Sequence, residues 1–173
     1  MKNLFSFAMM GVLLLTATVS CAQKDKAKRP SPPATALQKA GEVTISINYS
    51  QPSVKGRTIG KDLEPMAGKV WRTGANEATV FEVDKDVLIE GKALPKGKYG
   101  LFTIANGDDW TIIFNKTWEQ WGAFKYNEAE DALRVNVKAA KADASSEMMT
   151  FKIDETGKVN LFWGDIQVGF MVK

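Results

Sequence analysis

From Val43 to the end of the chain the apolar side chains recur at every second position, a period that suits strands and not an amphipathic helix. Val43, Ile45, Ile47 and Tyr49 alternate with Thr44, Ser46, Asn48 and Ser50. The pattern returns at Thr79, Phe81 and Val83, at Leu133, Val135 and Val137, and at Met149, Phe151 and Ile153. It closes through Val159, Leu161 and Trp163 and then Ile166, Val168, Phe170 and Val172. Residues 87–90 and 98–104 add strands joined through Gly91, Pro95 and Gly97, and Gly107-Asp108-Asp109 reads as a hairpin turn into residues 110–115. About nine or ten short strands at this spacing predict an all-β fold, an antiparallel β-sandwich or flattened barrel. The connections are too short for parallel crossovers. Helical candidates reduce to single turns at residues 63–66 and 128–131. There is no internal repeat, and 173 residues suit one domain, expected over 37–173, plus appendages.

The appendages lie at the N-terminus. Lys2, an apolar run from Leu4 to Ala17 and the small residues before Cys21 predict a secretory signal peptide over 1–20. The run is shorter than the ~20 apolar residues that a membrane-crossing helix needs. Thr18-Val19-Ser20-Cys21 is similar to a bacterial lipobox, so Cys21 is the expected site of lipidation and the membrane the expected partner through its acyl chains. Ordinary secretion, with cleavage near Ala22 or Gln23, is the alternative. Over 21–36, Lys24, Lys26, Lys28 and Arg29 precede Pro30, Pro32 and Pro33, a composition that suits an extended tether. The expected location is the bacterial cell envelope, on the periplasmic or outer-membrane side.

Several chemistries are disfavoured by what the chain lacks. It has no His, which removes the commonest general base and metal ligand together with Ser-His and Cys-His pairs. The lone cysteine allows neither an internal disulfide nor a thiolate zinc site. The net charge of +3 owes much to the tether, so a nucleic-acid partner is not expected. Asp108-Asp109 is a turn before it is a cation site, and no metal or cofactor is expected.

Residues 69–84 carry the densest polar chemistry, with Trp71, Arg72, Asn76 and Glu77 around a Gly74-Ala75 turn. Read as strand–turn–strand, the stretch places Gly74 and Asn76 where positive φ is tolerated and sets Arg72 across a hairpin from Glu77. The plainer outcome is an Arg72–Glu77 ion pair with Asn76 capping the turn. The functional one is an Arg72 fork that binds a carboxylate or phosphate, with Asn76 and Glu77 completing the hydrogen bonding. Lys55 and Arg57 flank Gly56 in a loop that could lie over an anion. Trp118, Gln120 and Trp121 form a loop suited to a sugar ring or a peptide, although Trp121 could instead plug the core. Of the two, Trp118 is the one expected at the surface. Trp110 and Trp163, on alternating strand positions, belong inside.

Four segments carry a resemblance. They are residues 49–57 (Tyr-Ser-Gln-Pro-Ser-Val-Lys-Gly-Arg), 70–79 (Val-Trp-Arg-Thr-Gly-Ala-Asn-Glu-Ala-Thr), 94–104 (Leu-Pro-Lys-Gly-Lys-Tyr-Gly-Leu-Phe-Thr-Ile), and Phe114-Asn115 with Gln120-Trp-Gly-Ala-Phe124. Together they resemble a bacterial exported family of unknown function, the one numbered twenty-nine-eleven. The resemblance covers residues 45–137 well and the last hairpins more loosely. It implies export and fold class and carries no activity with it. Gln51 departs from the family pattern, which has Arg there.

The functional expectation is an envelope-anchored binding or accessory module for a small anionic or glycan ligand. Its candidate residues are Arg72, Asn76, Glu77, Lys55, Arg57, Tyr49, Trp118, Gln120 and Trp121. An envelope hydrolase using a carboxylate such as Glu77 is the alternative, and a module for a protein partner is the third reading.

Overall fold

The computed structural model describes residues 26–173, so the expected signal peptide and Cys21 lie outside the described residues. The chain builds ten strands, β1 (Pro33–Ala40), β2 (Val43–Ser50), β3 (Val70–Trp71), β4 (Thr79–Val83), β5 (Val87–Ile89), β6 (Lys92–Leu94), β7 (Gly97–Asn106), β8 (Asp109–Asn115), β9 (Asp131–Ile153) and β10 (Lys158–Met171). The main sheet runs β1-β2-β4-β7-β8-β9-β10 with every pairing antiparallel, and β3 joins it on β7. The period-two pattern therefore becomes a curled, all-β half-barrel.

Its concave face holds the apolar members of each alternation. Phe114 sits among Phe81, Phe170 and Tyr99, all edge-on to it, at ring-centroid distances of 5.0, 5.6 and 6.5 Å. Trp110 and Trp163 lie inside, as their strand positions require. A smaller cluster of Ala78, Phe102 and Ile113 packs on the convex face against Val70, Ile104, Ala123 and Tyr126. Both faces of β7 and β8 are thus covered, and residues 116–127 belong to the outer cover.

Two kinds of contact complete the curl, one through the separate β5-β6 hairpin and one along β9. At one end β5 meets the C-terminus, where Leu88 N–H donates to the Lys173 carbonyl at 2.6 Å and Lys173 N–H donates back at 2.9 Å. On the other side, residues 52–54 run along the free edge of β9. Val54 N–H donates to the Glu147 carbonyl at 2.8 Å and Met149 N–H to the Pro52 carbonyl at 3.0 Å. Two side chains extend that ladder. Gln51 Nε2 donates to the Met149 carbonyl at 3.0 Å, and Phe151 N–H donates to the Tyr49 hydroxyl at 3.1 Å. Gln51 is thus a donor at this seam.

Three expectations change. Pro33–Ala36 lie within β1, so the extended tether expected through residue 36 stops earlier. Residues 63–66 form no helical turn; Leu63 instead makes a parallel bridge with Ile59, so of the two helical candidates it is Glu128–Glu130 that makes a short 3-10 turn. The separate short strands expected in the last third are two long ones, because β9 changes partner along its length, from β8 to β10.

Tyr49, a candidate ligand residue, is buried, with its ring edge-on to Phe151 at 5.0 Å. Its hydroxyl acts as a rung of the closing ladder. Tyr49→Phe should leave the Phe151 N–H without a partner and cost about 1–3 kcal/mol. Urea unfolding measures this as a lower midpoint at unchanged slope; an unshifted midpoint would remove the rung from the account.

Candidate functional site

The 72–78 stretch is not a hairpin. Val70 and Trp71 pair with Ile104 and Thr103 of β7, and Thr79 pairs with Leu101 of the same strand. β3 and β4 are therefore two pieces of one interrupted strand, and only Phe102 lies between their partners. Residues 72–78 leave the sheet and return to it, and Thr79 N–H closes the neck on the Arg72 carbonyl at 3.2 Å. Arg72 and Glu77 are not cross-strand neighbours, and the ion pair expected between them does not form.

Internal bonds hold the excursion in shape. Trp71 Nε1 donates to the Gly74 carbonyl at 3.0 Å, and Thr79 Oγ1 donates to the Thr73 carbonyl at 2.8 Å. Thr73 Oγ1 reaches Thr103 Oγ1 at 3.2 Å. Positive φ falls on Thr73 (52°) and Asn76 (58°), and Gly74 is not among the residues with positive φ. Gly74 serves close approach instead, since a Cβ there would stand 2.9 Å from Thr79 Oγ1 and 3.1 Å from the Ser50 carbonyl oxygen. Outside bonds then pin the tip. Ala75 N–H donates to the Ser50 carbonyl, Ala78 N–H to the Gln120 carbonyl and Gly122 N–H to the Asn76 carbonyl.

The tip receives the N-terminal segment. Arg29 Nη1 donates to both oxygens of Glu77, at 3.0 and 2.9 Å, and Lys26 Nζ stands 3.3 Å from the same carboxylate. Asn76 Nδ2 donates to the Ser31 carbonyl at 3.0 Å. The Arg29 guanidinium also lies over the Trp121 ring, 5.7 Å from its centroid. Burial alone would raise the Glu77 pKa, but the Arg29 hydrogen bonds and the Lys26 charge outweigh it and hold the carboxyl below its ordinary value. A carboxylate kept ionised with both oxygens engaged is poorly placed to act as the general acid of a hydrolase.

Arg72 stands apart from this network. It is half-buried, and its Nε is buried with no hydrogen-bond partner among the described residues. Burial pushes the guanidinium below its ordinary pKa, and the charge of Glu64 opposes that shift without a salt bridge forming among the described residues. The Glu64 carboxylate is itself engaged, accepting from Met66 N–H at 2.7 Å.

The remaining candidates scatter. Arg57 folds back on its own loop, donating to the Ser53 and Val54 carbonyls at 2.7 and 3.1 Å. Lys55 is exposed, and its backbone N–H donates to Glu147. Gln120 is buried with both ends of its amide used, donating to the Thr117 carbonyl and accepting from Lys125 N–H. Burial and these two bonds leave its amide turned away from any sugar in solvent. The surface expectation for the two indoles is reversed. Trp121 is the exposed one, at 54%, while Trp118 is half-buried with Lys98 Nζ 5.5 Å from its ring centroid.

Behind the loop, a polar cluster fixes the outer cover. Tyr126 Oη donates to Asp131 Oδ2 at 2.9 Å, Arg134 Nη2 donates to Tyr126 Oη, and Asn115 Nδ2 donates to Asp131 Oδ1 at 2.7 Å. Burial, aided by the Asp131 charge, pushes the Tyr126 hydroxyl up to about 12. A cleft of about 420 Å³ opens elsewhere, lined by Ile59, Pro65, Trp110, Lys141 and Asp165 among others, and none of the sequence candidates lines it. The residues that sequence reasoning misses are Lys26, Arg29 and Ser31, which fall in the stretch expected to be tether, together with Glu64 beside Arg72. The mixed cations of residues 24–29 were the available signal.

Comparison with known proteins follows this geometry. The family described as a protein of unknown function, DUF2911, matches residues 31–172, and the chain belongs to it. No curated protein and no solved structure matches the chain. The match takes in β1 and the whole excursion.

Two outcomes are expected at the tip. Gly74→Ala forces a Cβ against a backbone carbonyl and should cost about 1–3 kcal/mol, measured by thermal or urea unfolding. The second concerns pH. Because the Glu77 carboxyl is held below its ordinary value, docking of the N-terminal segment is fully present above about pH 4.3 and fades as the pH falls through the lowered value. Trp121 emission, with Trp121→Phe as the blank, should show that acid step. Glu77→Gln should already lack it at neutral pH, and a flat titration of the native protein would rule it out.

Proposed function

We propose that this member of the DUF2911 family is an exported binding module of the bacterial envelope, anchored through Cys21, that takes a small anion on Arg72. One observation carries the ligand reading, the buried Arg72 Nε without a partner among the described residues. Buried donors in folded proteins nearly always find an acceptor, and a half-buried cation left unpaired lowers stability. A carboxylate or phosphate that reaches the half-buried guanidinium would meet it in a bidentate fork. The neighbouring carboxylate, Glu64, is occupied by its own turn and does not fill that role. Anchoring rests on the Lys2 start, the apolar run and the Thr18-Val19-Ser20-Cys21 sequence.

The glycan expectation weakens because Gln120 is used internally. Trp121 alone, with one face toward Arg29, is a poor sugar platform.

Arg72→Met tests the reading. Without ligand the variant should be as stable as the native protein or up to about 1 kcal/mol more so, because an uncompensated buried donor has gone. Thermal unfolding with inorganic phosphate, acetate, citrate and sugar phosphates should show a concentration-dependent rise in Tm for the native chain, near 2.7 kcal/mol of stabilisation at a hundredfold excess over Kd. That rise should be absent from the variant. A large loss of stability in Arg72→Met, with no anion raising the native Tm, would make Arg72 a structural residue.

A further inference from the structure

We infer that the turn at residues 121–124, together with the docked N-terminal segment, forms the face by which this domain lies against an anionic lipid surface. Two large aromatic side chains leave the same turn into solvent, Trp121 at 54% exposure and Phe124 at 86%. Single exposed apolar residues are ordinary, but two aromatics on one turn beside cations have the chemistry of a membrane interface. Arg29 lies over Trp121, Lys26 reaches Glu77, which bridges to Trp121 through the backbone, and Lys28 and Lys125 are exposed beside them. Against these cations stand Glu77, already paired with Arg29 and Lys26, and the exposed Glu119. The balance is positive, which favours anionic headgroups.

Chain length commits the occupant to lipid. Cys21 precedes Lys26 by about five residues, and an extended chain gains at most ~3.6 Å per residue, so acylation at Cys21 would hold Lys26 within about 18 Å of the bilayer. The segment that starts at Lys26 is docked on the 72–78 excursion beside Trp121, so the same tether brings the aromatic turn toward the headgroups. This inference rests on the anchoring at Cys21 proposed above, and it is independent of the ligand on Arg72.

The test uses the full chain expressed with its own leader, purified from membranes and placed in vesicles of phosphatidylglycerol and phosphatidylcholine with brominated acyl chains. Palmitate incorporation reports anchoring by itself, and loss of tryptophan emission to the bromine reports the docked face. Trp71, Trp110 and Trp163 are almost fully buried and Trp118 is half-buried under Lys98, so most of the quenched signal should belong to Trp121 and be lost in Trp121→Phe, with Trp118→Phe as the control for the remainder. Phe124→Asp should reduce the quenching while palmitate incorporation stays unchanged. Acylated protein with unquenched Trp121 would overturn the docked face and leave the anchor standing. Absence of palmitate together with quenching by added vesicles would overturn the anchor and support the face; absence of both would overturn the two together. Trp121 shielded from aqueous acrylamide yet untouched by bromine would point to a protein covering the turn and would also overturn the proposal.

Discussion

One edge of β7 serves two strands, and the rest of the molecule is arranged around that sharing. Trp71 and Thr79 pair with Thr103 and Leu101, so the chain between them has a single residue of β7 to span and must leave the sheet. Besides its internal bonds, the excursion reaches three other places, the end of β2 and the 120–122 loop through its backbone and the N-terminal segment through the side chains of Asn76 and Glu77. Each of these is thereby positioned by one interruption in one strand. An uninterrupted β3–β4 strand would leave the N-terminal segment and the Trp121 turn without their common support.

The two charged residues of the excursion are treated in opposite ways. Glu77 is partly exposed and doubly paired, an arrangement in which each contact is worth little and the network gains by numbers. Arg72 is half-buried and its Nε has no partner among the described residues, an arrangement that lowers stability unless something else compensates. Natural chains break local rules of this kind mainly where function requires it. The contrast sets a paired clasp beside a half-buried cation within one short string.

The strands were legible wherever the buried face is built from large side chains, as at Ile45, Ile47 and Tyr49. β1 alternates as regularly, but its inward side chains are Ala34, Ala36, Gln38 and Ala40, and a Pro-rich approach masks the period. The continuity of β10 was hidden because its register shifts around Gly164, which breaks the phase of the pattern. The long middle of β9, residues 138–146, is mostly exposed and offers no apolar period to read. At the site, the residue types in 71–79 pointed to a polar cluster, and that much was readable. Their partners were not, because period and spacing do not reveal that β3 and β4 are collinear. Once the hairpin assumption fails, Glu77 is free to meet Arg29, which lies 48 positions earlier in the chain.

The seam between residues 52–54 and β9 has a consequence for how the chain reaches this structure. Ser53 bridges to Met148, so the curl is completed only when the last third of the chain is present. Until then the edge that β9 will occupy stands open, and the early strands have little on which to bury their concave face. Closure between such distant parts of the sequence makes for slow folding, because loop entropy is lost before the contacts that compensate for it form. A polypeptide of this design stays unclosed, and therefore threadable, until its final hairpin has been delivered.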